Sequence, residues 1–92
     1  MPIECENGRC RVSGPVTMRN VTAVLAESAV KITGPHVVVD LSGVTDVDSS
    51  AVSLLLEWRR EAARAGRRVE FENVPPNLRT LAELYGVSDL VA

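Results

Sequence analysis

Residues 37–58 read VVVDLSGVTDVDSSAVSLLLEW, and the fold turns on how that stretch is parsed. Val37-Val38-Val39 is an apolar run of strand length that ends at Asp40. With apolar residues on both faces, it reads as a strand buried between layers with parallel neighbours. Ser42 to Val47 reads as a polar turn. Asp48-Ser49-Ser50 then opens an apolar-periodic segment, expected to run as a helix from Ser49 or Ser50 to about Ala65. Its apolar face is wide in the N-terminal half, where Ala51, Val52, Leu54, Leu55 and Trp58 fall close together. A strand that delivers the chain to a polar helix start is a common way of displaying a functional group.

Outward from this stretch, the flanks supply further elements. Ile3 to Ser13 reads as a hairpin, because Asn7-Gly8 accepts the positive φ of a type I′ turn. That turn sets Glu6 opposite Arg9, a favourable charge pair, and Cys5 opposite Cys10. The two cysteines are then either a disulfide or two thiols on one face, and a reducing cytosol favours free thiols. Asn20 is a candidate N-cap for a helix carrying Val21, Val24, Leu25 and Ile32, which frays before Gly34-Pro35. Gly66 suits the end of the second helix, and the alternating run Val69 to Val74 reads as a strand with one exposed face. Pro75-Pro76 stops it. Asn77 then caps a short helix, Leu78 to Tyr85, and Val87 to Val91 is a short tail.

The order β-β-α-β-α-β-α in 92 residues implies one α/β domain spanning residues 1–92, with about four strands and right-handed crossovers. A net charge of −2 leaves no domain-wide basic field, which argues against nucleic acid. No apolar run nears the ~20 residues of a membrane helix, so direct insertion is not expected. The start, Met1 to Glu6, lacks the pattern of a signal peptide, which makes the cytoplasm the expected compartment.

Searching for chemistry returns little. Asp46 and Asp48 specify too few oxygens for a metal site, so no metal and no cofactor are expected. His36 has no nucleophile pattern beside it, and no phosphate-cradling glycine motif occurs. Arg59, Arg60, Arg64, Arg67 and Arg68 read as a solvated helix end interleaved with Glu57 and Glu61. Trp58 is either core or a half-exposed interface residue. Nothing assembles an acid, a base and a nucleophile, so no enzyme is expected. Asp48-Ser49-Ser50 has the composition of an N-cap, yet offers two hydroxyls where one cap suffices.

From Val37 to Val91 the chain resembles the STAS domain family. The features that carry the resemblance are Asp40-Leu41-Ser42 closing a strand, Val47-Asp48-Ser49-Ser50-Ala51-Val52 opening a helix, and Ala65-Gly66, Val74-Pro75 and Leu84-Tyr85-Gly86-Val87 beyond. Two subfamilies compete. Anti-sigma-factor antagonists carry D-S-S/T-G at this helix start, and their phosphoacceptor, the target of a partner anti-sigma kinase, maps to Ser50. Here Ala51 stands where their glycine does. MlaB-like proteins are the small cytoplasmic STAS subunits of the Mla phospholipid ABC transporter, peripheral to the inner membrane through their complex. They carry a hydroxyl directly after the Asp and a final helix resembling Thr80-Leu81-Ala82-Glu83-Leu84-Tyr85. That tail favours the second subfamily. The resemblance implies a contact surface for an ABC transporter ATPase made of Asp48, Ser49, Ser50, Val52, Ser53 and Leu56, with Ser49 as the docking hydroxyl.

Overall fold

The structure, a computed structural model, describes residues 2–91. The chain forms β1 (Ile3–Glu6), β2 (Arg9–Val16), α1 (Val21–Lys31), β3 (His36–Val47), α2 (Ser49–Arg64), β4 (Arg68–Glu72) and α3 (Pro76–Leu84), then a 3₁₀ turn at Ser88–Val91. This is the α/β order expected from the sequence. The four strands lie side by side in the order β1-β2-β3-β4. The β1–β2 pair is antiparallel, and β2–β3 and β3–β4 are parallel.

The hairpin forms in the expected register. Asn7 and Gly8 both take positive φ, 51° and 78°, and Cys5 faces Cys10. The pair is joined as a disulfide, which corrects the expectation of free thiols. Direct opposition across the hairpin brings the two sulfurs within bonding reach. Glu6 lies opposite Arg9 as expected, but the Arg9 guanidinium pairs with Asp40 and Glu72 across the next two strands.

The largest departure lies in the central strand. Ser42 to Val47 is not a turn, because β2 is long enough to keep pairing with it. Ser13 lies opposite Gly43, Gly14 opposite Val44 and Val16 opposite Val47, with register shifts between. Gly43 allows the close approach, since a Cβ there would lie 2.8 Å from Ser13 Oγ and 3.0 Å from the Val12 carbonyl oxygen. The parallel neighbours of β3 are as expected, but it is not covered on both faces. Val37, Val39 and Leu41 are buried, whereas Val38 and Asp40 are only half-buried. The helices pack over the first face, closing a core in which Val39, Leu55, Val24 and Leu78 share one cluster. Arg9, Arg11, Asp40, Glu70 and Glu72 belong to the face left open.

Trp58 belongs to the core. It is 4% exposed, and its indole N–H donates to Ser28 Oγ at 2.7 Å. Ser28 in turn donates to the Leu25 carbonyl at 2.7 Å, so this buried polar pair is satisfied. The tail after Gly86 is also structural, because Leu90 and Val91 are buried. Of the two predicted asparagine caps, Asn20 stands at the N-cap position of α1 as expected but makes no side-chain capping bond, and Asn77 is displaced from the cap of α3. Asn20 Oδ1 accepts from the Thr17 amide and its Nδ2 donates to Pro15 O, leaving none of its side chain for α1. At α3 the cap position is Pro75, and Asn77 ties the helix to β3 by donating to Thr45 O. On α1, Val24 is buried but Leu25 remains 38% exposed.

Asp40 is the electrostatic anchor of the open face. The Ser42 amide bonds its carboxylate at 2.9 Å, and the Ser42 hydroxyl, Asn73 and Arg9 add to that, holding its pKa down at about 2. A carboxylate whose folded pKa is depressed contributes stability above its unfolded pKa and loses it as pH falls to the folded value. Asp40→Ala is therefore expected to cost about 2 kcal/mol at neutral pH. Urea denaturation should show that difference shrinking as pH falls from about 4 to about 2. A difference that does not change with pH would remove the carboxylate from the account.

Candidate functional site

Asp48 organises the helix start by holding two loops at once. Its Oδ1 accepts from the Ser50 amide at 2.8 Å, the capping bond that the residue type predicts. Its Oδ2 accepts from the Met18 amide at 3.0 Å, which pins the β2–α1 loop against the β3–α2 turn. The Met18 amide, with the Ser50 amide and hydroxyl adding to it, holds the Asp48 carboxyl below its usual range. Met18 itself is 76% exposed beside this junction. With both oxygens engaged by amides, Asp48 is a structural clamp rather than a cation ligand.

The two hydroxyls next to it are placed differently. Ser49 is exposed at the first position of α2, whereas Ser50 is half-buried and turned toward Asp48. One helical turn on from Ser49, Ser53 is also exposed. Ser49, Val52, Ser53 and Leu56 line one groove of about 200 Å³, closed on its far side by Tyr85 and Val87 at the end of α3. Val52 forms its floor, being 4% exposed, and Leu56 is half-buried. Leu84 and Tyr85 stand 75% and 58% exposed on the α3 side.

Four of the six residues singled out in sequence thus converge on one groove; Asp48 and Ser50 do not line it, and Asp48 belongs instead to a separate depression with Met18 and Asp46. Sequence reasoning missed Met18, Tyr85 and Val87. Met18 acts through its backbone amide across 30 residues, a contact that no local pattern signals. Tyr85 and Val87 read only within the Leu84-Tyr85-Gly86-Val87 motif, the last helix and the tail, not as site residues. His36 lies away from the groove, exposed and paired with Glu70. Arg64 pairs with Glu57 and Glu61, as expected of a solvated helix end.

The groove sits where the parallel strands β2 and β3 end, the position at which α/β sheets display binding loops. Nothing in it juxtaposes a nucleophile with a base. It offers a hydroxyl at a helix start, an apolar floor and an exposed aromatic rim.

A family model described as "Mlab, STAS domain" matches residues 3–92. No curated protein matches the chain. Among solved structures, the anti-sigma factor antagonist SpoIIAA in its unphosphorylated form superposes with a TM-score of 0.75 at 20% identity. That match covers 96% of this chain and 82% of SpoIIAA, and it shares the element order found here. A segment of Mglu matches with a TM-score of 0.64 at 29% identity, covering 83% of this chain but only 20% of that one. The L-glutamate binding form of Mglu gives a TM-score of 0.57 at 22% identity, over 83% of this chain and 26% of that one. The chain therefore spans about a quarter or less of Mglu.

Proposed function

The chain belongs to the STAS domain family, and on that premise we propose that it is a non-enzymatic cytoplasmic subunit that binds and regulates the ATPase of a phospholipid ABC transporter of the Mla type. In this reading it reaches the inner membrane only through that complex. The observation that carries the reading is the convergence of Ser49, Val52, Ser53 and Leu56 with Tyr85 and Val87 on one groove. A partner loop with an apolar tip and a hydrogen-bonding group fits that surface, the tip over Val52 and Leu56 and the polar group on the Ser49 hydroxyl. The matched family, and the likeness of Thr80–Tyr85 to the final helix of MlaB-like proteins, whose end brings Tyr85 to the groove, support the same partner.

Co-purification with the transporter's ATPase tests it. The tagged chain should carry the ATPase through affinity purification and gel filtration. Failure to do so under low and physiological salt would overturn the proposal.

The likeness to SpoIIAA favours one second reading, an anti-sigma-factor antagonist phosphorylated on Ser50 by a partner kinase. The geometry opposes easy transfer, since Ser50 is half-buried and its amide is bound by the Asp48 carboxylate. A phosphate there would meet the Asp48 carboxylate, with only the dipole of α2 to offset the repulsion. Incubation with an anti-sigma kinase and ATP, followed by intact-mass measurement, discriminates between the readings. We expect no mass gain; one phosphate on Ser50 would establish the second reading.

A further inference from the structure

A cavity of about 320 Å³, open on one side, lies between α1 and α2, away from the groove at Ser49. Leu25, Ile32, Trp58 and Val69 give it an apolar lining. Glu57, Glu61 and Arg67 supply its charges. The two glutamates share one arginine, Arg64, at 3.1 Å and 2.6 Å, so that trio carries one net negative charge. Arg67 is different. It is half-buried and, among the described residues, has no carboxylate within ion-pair distance. Its Nη1 donates to the carbonyls of Ile32 and Gly34, at 3.1 Å and 3.5 Å, which fixes the guanidinium at the end of α1.

A guanidinium presents five donors in a planar fork, and two carbonyls satisfy only part of it. A half-buried cation with spare donors beside an apolar cavity is complementary to an anion on an apolar body. We propose that this cavity is a binding site for a small amphipathic carboxylate, whose head pairs with Arg67 and whose chain lies on Trp58, Leu25 and Ile32. The Glu57–Arg64–Glu61 cluster, with one net negative charge, forms the opposite rim and directs a carboxylate head to the Arg67 end. The site is independent of the Ser49 groove and of the identity of any protein partner.

Trp58 is the chain's single tryptophan and lines the cavity, so its fluorescence reports occupancy directly. Titration of the whole chain with octanoate should give a saturable change. Octylammonium and octanol, matched in chain length, should bind at least fivefold more weakly. Arg67→Gln should weaken octanoate at least fivefold, and Arg67→Lys should restore part of the loss as a point charge without the fork. Arg67 also holds the end of α1, so a second variant leaves it in place: Ala29→Phe adds bulk to the cavity wall and should abolish the change. An absent response in the unaltered chain overturns the proposal. So does octylammonium binding as tightly as octanoate, or undiminished binding in Arg67→Gln or Ala29→Phe.

Discussion

Ser49→Arg is expected to abolish co-purification with the proposed ATPase partner, raising the dissociation constant about 100-fold, equivalent to roughly 2.7 kcal/mol. The argument is steric before it is chemical. Ser49 is exposed at the mouth of a groove of about 200 Å³, so a long side chain at that position occupies the space a partner would fill. It also places a cation at the positive end of the α2 dipole, where it cannot be neutralised by the helix. Neither effect reaches the core, because position 49 makes no buried contact, and stability should stay within about 0.5 kcal/mol of the parent. Ser53→Arg, one turn along the same face, should reproduce the loss. Glu4→Ala, exposed on β1, should leave binding intact. Isothermal titration against the ATPase, alongside a thermal melt of each variant, separates lost contact from lost fold. Undiminished binding in Ser49→Arg and Ser53→Arg together would sink the groove as the docking surface.

The fold was legible wherever one local force dominated. Asn7-Gly8 takes positive φ at both positions at little cost, and the hairpin register follows from the turn alone. The Ala51 to Trp58 segment has a helical period whose apolar side could only be buried, and it is. Reading failed where a distant partner decides the outcome. Ser42-Gly43-Val44-Thr45 has turn-like composition, but β2 supplies a pairing strand that local pattern does not contain. Asn20 is a good cap by type, yet the bonds available to it in the β2–α1 loop lie in the opposite direction. The candidate site divides along the same line. Its α2 half entered through the family resemblance, which named Ser49, Val52, Ser53 and Leu56, and helical spacing sets those four on one face. Its α3 half, and the Met18 amide on Asp48, exist only once three separate segments have met.

The same division locates the residue on which the core depends most. Trp58→Ala should cost about 3–5 kcal/mol, against a total stability of roughly 5–14 kcal/mol for a domain of this size. The indole packs with its centroid 6.4 Å from that of Phe71, spans the space between α1 and the sheet, and gives its N–H to Ser28. Removing it joins the vacated volume to the cavity that already opens beside it, so solvent can enter and the hydrophobic core is breached from one side. Trp58→Phe separates the two contributions. It retains most of the packing and removes only the donor to Ser28, whose hydroxyl still donates to the Leu25 carbonyl, so about 1–2 kcal/mol is expected. Ser28→Ala inverts the imbalance. The buried indole N–H then has no acceptor, at a cost of about 1–3 kcal/mol. The double variant Trp58→Phe with Ser28→Ala removes donor and acceptor together and should cost less than the two singles summed, by on the order of 1 kcal/mol. Urea unfolding followed by far-UV circular dichroism measures all four, since tryptophan fluorescence is lost in three of them. A loss below about 1 kcal/mol in Trp58→Ala, or strict additivity in the double variant, would mean that the α1–α2 contact does not hinge on this pair.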